Sequence, residues 1–312
     1  MGHSTLQMPC GCGTKTVATT WYFPNQAQPP VGVIYLQHGF LRSSANDSAL
    51  AIHLAQTTNS IVVTPDITSN FFTPDGFWLG GSSTAQSVAD LFAGNRAALT
   101  ASASQAAGKP VTLPDKYVLA GHSGGGGLVA AAAADAVNGG TAGNLAGVIL
   151  LDGVSLTDTM PASLTTLHNA GVEVLQIASA PSLYNSFGSG TSQLITAYPD
   201  QFKGVTLVGG THLDAEGVSA GWPAQLAVAF STPANEAAVQ LLTTEWINDM
   251  YAGTPIEGPS SPISIIPTQG GPATVVSLPN LAPPFANAAG ALPNLAALFE
   301  RVFIGALQPA AL

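Results

Sequence analysis

Charged side chains are scarce in this chain: Asp, Glu, Lys and Arg make up only 8% of its 312 residues, against roughly a quarter in ordinary globular proteins. Basic residues are scarcer still, with seven Lys and Arg against 17 Asp and Glu and a net charge of −10. Those seven are scattered singly, so no basic patch exists to neutralise phosphates, and nucleic acid is excluded as a partner. Long apolar runs are missing as well. The longest Ala/Gly stretches are interrupted by Asp135 and Asn138, and no segment reads as transmembrane. The start, Met1 to Ser4, has no basic region leading into an apolar segment, as expected of a chain whose export signal has been removed.

Cysteine is limited to Cys10 and Cys12, with Gly11 between them. A bridge across one residue is strained and closes too small a loop to stabilise much. Two thiols also cannot complete a zinc site. The pair reads as a reduced or locally oxidised terminus rather than a redox centre. No H-x-x-x-H or His–carboxylate cluster points to a metal, and nothing in the sequence calls for a cofactor.

Apolar residues are plentiful, at 46% of the chain, and their periodicity persists along most of it, so a folded core is expected despite 34 Gly and 23 Pro. The surface must then be built from Ser, Thr, Asn, Gln, Gly and Ala. Such a surface suits a secreted or cell-envelope protein acting on apolar material.

Short apolar runs alternate with helical patterns. Strands are expected at Thr16–Phe23, Gly32–Gln37, Ser60–Thr64, Tyr117–Ala120, Gly147–Leu151, Val172–Ile177 and Gly204–Val208. Helices are expected at Ala45–Gln56, Thr84–Ala106 (one long helix), Gly125–Ala136, Ser163–Asn169, Ser189–Tyr198 and Pro233–Tyr251. This alternation implies an α/β fold with a mainly parallel sheet covered on both faces, and functional residues at the carboxyl ends of its strands. Residues 1–251 form that domain. Residues 252–312 read as a Pro/Gly-rich extension with short β-like runs at Ile263–Ile266 and Ala273–Ser277. The extension ends in a helix over Asn294–Leu307, suited either to docking on the parent domain or to contact with a membrane or partner. Residues 179–201, with Tyr184 and Phe187, are either a small lid or a connecting helix.

The most informative motif is Gly121-His122-Ser123-Gly124-Gly125, which follows the run Lys116–Ala120 and opens into a helix. G-x-S-x-G in this strand–turn–helix context presents a serine on a sharp elbow, where a neighbouring base can activate it. Asp152 follows the strand ending at Leu151, and His212 lies beyond the strand ending at Val208. The order Ser, Asp, His, each at a strand end, is that of the α/β-hydrolase fold.

On these motifs residues 16–251 resemble the α/β-hydrolase superfamily, especially its secreted serine esterases, lipases and cutinase- or polyester-hydrolase-like enzymes. The resemblance implies an α/β-hydrolase fold and a serine nucleophile, Ser123. It also implies a base, His212, and a carboxylate, Asp152, that orients it. In many relatives the acid follows the next strand, where Ile177 to Ser182 contains no carboxylate. Some lipases place it one strand earlier, as Asp152 would be. Asp66 also ends a strand but precedes the serine and reads as a loop holder, while Asp214 and Glu216 are too close to His212 in sequence to orient it easily.

Gln37-His38-Gly39-Phe40 stands where the family's His-Gly oxyanion loop lies, implying oxyanion donors at the Phe40 and Gly124 backbone N–H groups. Cutinase-like polyester hydrolases carry an aromatic at the Phe40 position, able to stack on an acyl or aromatic group. They commonly have Met after the serine; Gly124 leaves more room there. Phe40, His122, Phe77 and Trp78 are the candidate substrate contacts, although Phe71, Phe72, Phe77 and Trp78 serve equally to anchor a loop. His38 reads as a brace for the oxyanion loop, and His53 and His168 as satisfied or surface side chains. The resemblance therefore implies a serine carboxylester hydrolase cleaving small-molecule, lipid or polymeric apolar esters. The same triad would serve an acyltransferase or polyester hydrolase, and a non-catalytic hydrolase-like binding protein is the alternative from another class.

Overall fold

A computed structural model describes residues 1–11, 13–73 and 75–278 of the chain. The N-terminal strands β1 (Gly2–Cys10) and β2 (Gly13–Tyr22) form an antiparallel hairpin. Only the second was expected, because β1 includes Pro9 and buries little besides Leu6 and Met8. Strand β3 (Gly32–Gln37) leads through a short 3-10 turn at Ser44–Asp47 into α1 (Ser48–Thr57) and then β4 (Ser60–Pro65).

The helix expected over Thr84–Ala106 is two helices, α2 (Ser82–Leu91) and α3 (Ala97–Ala107). Between them the chain turns through positive φ at Gly94 (56°) and Arg96 (52°), a left-handed backbone no α-helix can carry. There follow β5 (Tyr117–His122), α4 (Gly124–Asn138), β6 (Leu145–Leu151), α5 (Met160–Asn169), β7 (Val174–Ala178), α6 (Ser189–Ala197) and β8 (Gly204–Leu207). Helices α7 (Trp222–Ala227) and α8 (Pro233–Ala252) precede a last hairpin of β9 (Ile263–Thr268) and β10 (Gly271–Ser277).

All of these strands form one ten-stranded sheet, in the order β1-β2-β4-β3-β5-β6-β7-β8-β10-β9. The run from β4 to β8 is parallel, and antiparallel strands flank it on both sides. The segment after residue 251 is therefore continuous with the sheet through Ser277, because β10 pairs with β8. The helix expected over Asn294–Leu307 lies outside the described residues, as does Cys12; Cys10 carries no free thiol.

The central strands are buried throughout and mostly apolar because both of their faces are covered. Val33 and Tyr35 of β3 face the layer that includes Leu99 of α3, Leu128 of α4 and Leu164 of α5, whereas Ile34 and Leu36 face Leu54 of α1 and Trp246 of α8. The period-two alternation thus builds two cores, one on each face. Among the described residues no helix is long and apolar enough to cross a membrane.

Trp21 couples the N-terminal hairpin to the first core. It is fully buried, and its indole N–H donates to Ser102 Oγ of α3 at 3.0 Å. Trp21→Ala should cost about 3–5 kcal/mol, measured as a lower urea midpoint with an unchanged slope; a loss below about 1 kcal/mol would mean the hairpin is peripheral to the core.

Candidate active site

The site is assembled at the carboxyl ends of β3, β5, β6, β7 and β8. At the end of β5 the chain reverses so sharply that Ser123 adopts φ 53° and ψ −124°, a sparsely populated backbone state costing about 1–3 kcal/mol. Hydrogen bonds on both sides hold it there. The Ser123 N–H donates to the Leu151 carbonyl at 3.0 Å, and its own carbonyl accepts from Gly126 and Val154 at 2.9 and 2.8 Å.

The flanking glycines are needed for closeness. A Cβ on Gly121 would lie 2.3 Å from the Gly125 oxygen, and one on Gly125 would lie 2.4 and 2.6 Å from the carbonyl oxygens of Gln37 and His38. Gly124 is different. The room it leaves beside the serine is taken by Leu156, whose Cδ1 would be 2.7 Å from a Cβ there.

Ser123, His212 and Asp152 form one hydrogen-bonded line. Ser123 Oγ is 2.8 Å from His212 Nε2, and His212 Nδ1 is 2.6 Å from Asp152 Oδ2. All three are buried, each with less than a tenth of its surface exposed. Burial pushes the Asp152 carboxyl up. The His212 hydrogen bond and charge, together with Ser179, outweigh it and hold the group below the ordinary carboxylate range. An ionised Asp152 places the ring proton on Nδ1, leaving Nε2 free to accept from the serine hydroxyl.

Two residues with no visible signal in the sequence complete the carboxylate's shell. Ser179, at the end of β7, donates its N–H to Oδ1 at 3.0 Å and its hydroxyl to Oδ2 at 2.6 Å. Asn185 donates its amide to both oxygens at 3.3 and 3.2 Å. Asn185 also ties its own loop, accepting from Ser182 and Gly188 N–H at 2.8 and 3.0 Å. The segment expected to be a lid or a connecting helix is thus a tethered loop followed by α6. Tyr184 of that loop donates to the Ala227 carbonyl at 2.7 Å.

The Gly39 turn lies against the serine, since a Cβ on Gly39 would be 3.0 Å from Ser123 Cβ. The Phe40 N–H is without an acceptor among the described residues, and the Gly124 N–H, at the first position of α4, has no intrahelical acceptor. His38 Nδ1 is 2.8 Å from the Gly39 carbonyl.

His122 was expected to touch substrate. It is 1% exposed and faces inward, with Nε2 donating to the main-chain carbonyl of His212 at 2.7 Å. On its other side Nδ1 lies 3.3 Å from Glu216 Oε1, a charge contact rather than a short, aligned hydrogen bond. Arg42 pairs with Glu216, Nε to Oε1 at 2.8 Å, and reaches the Ala220 carbonyl at 2.7 Å. Burial alone would lower the His122 pKa. The Glu216 contact and charge, Asp47 and the His212 carbonyl instead hold it up at about 9. Glu216 is buried, which raises it, but His122 and Arg42 bring it below its ordinary value.

The remaining candidates divide. Phe77 is only 5% exposed and packs in the first core, so it offers substrate little surface. Trp78 is partly buried and meets the exposed Phe71 edge-on at 6.0 Å. Asp66 holds a loop, accepting from Ser44 N–H at 2.6 Å, and Asp214 closes its own turn through Thr211 at 2.9 Å. His53 bonds Thr244 at 3.2 Å, and His168 packs edge-on to Tyr198 at 4.8 Å.

This architecture is the α/β-hydrolase fold. No family model matches the chain, and no curated protein matches it in sequence. Among solved structures it is similar to carboxyl esterase 2 from the mycorrhizal fungus Tuber melanosporum, at 13% identity, 80% of this chain, 85% of that one and a TM-score of 0.53. It is likewise similar to a fungal esterase from Rhizomucor miehei, at 14% identity, covering 80% and 84%, with a TM-score of 0.53. The esterase domain of a Rhodothermus marinus protein matches at 14% identity, over 80% of this chain and 98% of that one, with a TM-score of 0.51.

The buried charges around His122 set a direction for stability against pH. A histidine raised from 6.5 to about 9 contributes fully below pH 6.5 and loses that contribution as pH rises through about 9. Asp47, raised by burial from 3.8 to about 7, also loses its contribution with rising pH, over the lower window. Glu216, being lowered, loses its contribution only in acid. The melting temperature should therefore fall between about pH 6.5 and 9. Glu216→Gln should flatten that fall and destabilise by about 3–5 kcal/mol, as for a broken buried pair. A variant with the wild-type pH profile would remove His122 and Glu216 as its source.

Proposed function

We propose that this protein is a serine carboxylester hydrolase that cleaves apolar esters through an acyl-enzyme. The observation that carries the reading is the line from Ser123 through His212 to Asp152, set on the strained elbow and beside unengaged backbone N–H groups. Ser123 Oγ attacks the ester carbonyl carbon while His212 Nε2 takes the hydroxyl proton. The carbonyl oxygen becomes an oxyanion, and the N–H groups of Phe40 and Gly124 donate to it. As the tetrahedral intermediate collapses, His212 returns the proton to the departing alcohol. Water then repeats the sequence in reverse roles, releasing the acid and restoring the serine. Asp152 stays ionised throughout and stabilises the imidazolium. Phe40, which follows the Gly39 turn against the serine, is the candidate substrate contact nearest the nucleophile. The scarcity of surface charge fits work outside the cytoplasm or in the cell envelope.

Ser123→Ala should abolish p-nitrophenyl butyrate hydrolysis and labelling by a fluorophosphonate while leaving the melting temperature near wild type. Turnover that survives this change would overturn the nucleophile assignment. Asp152→Asn should lower kcat by about 10^3–10^4-fold. If Asp66→Asn does so instead, the acid is misassigned.

A further inference from the structure

A groove of about 370 Å³ opens at Gly124 and follows the outer side of α4. Gly124, Gly127, Ala131, Ala134 and Asn138 belong to its lining, and their spacing puts them along one stripe of the helix. From the first to the last of these the helix rises about 21 Å. The opposite walls are the turn before α2 and the residues from Ser155 into α5. At the head of the groove Leu156 packs over Gly124, beside the nucleophile.

We infer that this groove is the acyl subsite of the enzyme and takes a long, unbranched, uncharged acyl chain. The inference rests on the ester-hydrolase reading above and adds the half of the substrate that reading leaves undefined. Its orientation follows from the reaction. The departing alcohol must lie beside His212 Nε2 to receive its proton. No residue of the segment carrying His212, from β8 through α7, lines the groove. A substrate carbonyl held at the Gly124 N–H therefore sends its acyl half toward the groove and its alcohol half toward His212. The lining also discriminates by charge. It includes Asp135 and Asp158 but no Lys, Arg or His, so a chain ending in a carboxylate meets only like charge. Burial and the like charge of Asp90 raise the Asp135 carboxyl. The small side chains of α4 keep the floor open, and a large one at position 131 would divide the groove midway.

The test compares p-nitrophenyl laurate with p-nitrophenyl butyrate on the full chain. Ala131→Phe, and separately Ala162→Phe from the exposed facing wall, should each lower kcat/KM for laurate about tenfold or more. That loss corresponds to roughly two methylenes no longer buried. The rate on butyrate, whose short acyl chain ends before it reaches either position, should fall less than twofold in both. Two blocking variants are used because either alone could disturb α4 or α5, and melting temperatures identify a variant that has. Folded variants that retain laurate activity, or lose both activities equally, would overturn the acyl assignment alone. A wild-type protein that cleaves neither ester would overturn the hydrolase reading and the acyl assignment with it.

Discussion

The site depends on one close approach: the first turn of α4 resting directly on the carbonyls that end β3. Gly125 has 2.4 and 2.6 Å from a would-be Cβ to the Gln37 and His38 oxygens, and Gly121 has 2.3 Å to the Gly125 oxygen. No side chain fits in either gap. The approach fixes the angle between β5 and α4, and that angle forces Ser123 into its strained conformation. It also brings the Gly39 turn against the serine. The Ser123 elbow, the unengaged helix N–H and the Gly39 turn thus follow from one packing constraint rather than from three separate ones. The strain is offset by the hydrogen bonds that Ser123 makes to the backbone after β6, which also bring the Asp152 turn into place.

His212 is held from two directions by two buried acid–base chains. Its ring is oriented by Asp152, itself saturated by Ser179 and Asn185. Its main chain is held by His122, which Glu216 keeps protonated, while Arg42 pairs with the same carboxylate from its other side. A histidine on a loop can slide or rotate. Fixing only the ring would leave the loop free, and fixing only the loop would leave the ring free. The two chains act on different degrees of freedom, and both are buried, where electrostatic contacts are weakly screened. A chain with so few charges spends a notable part of them here.

Much of this was legible in the sequence because strands buried on both faces are written as continuous apolar runs. Ser123, Asp152 and His212 could be located because each comes at or shortly after the end of such a run, and the sheet brings those ends together. The features that were not legible depend on contacts far apart in the chain. Arg42 meets Glu216 across 174 positions and Asn185 meets Asp152 across 33, and neither pair leaves a local pattern. His122 shows in sequence only as the neighbour of Ser123, because its partners come from a distant loop. The break between α2 and α3 was hidden because apolar periodicity resumes after the turn. Strand β1 was hidden because it contains Pro9 and buries little besides Leu6 and Met8.

Helix α4 ties these levels together. Its glycine-rich start serves the inner side, where the Gln37 and His38 carbonyls come too near Gly125 for any side chain. Its alanine-rich continuation buries Ala130, Ala132 and Ala133 fully while Ala131 and Ala134 border the groove. An ordinary amphipathic helix would fill the inner side with Leu and Ile and stand further from the sheet. That greater distance would pull the elbow apart. The small residues that make the elbow geometrically allowed therefore also leave the outer side of the helix low, and the groove beside Gly124 follows from the same choice. The geometry of the elbow and the shape of the groove are two consequences of how thin α4 has to be.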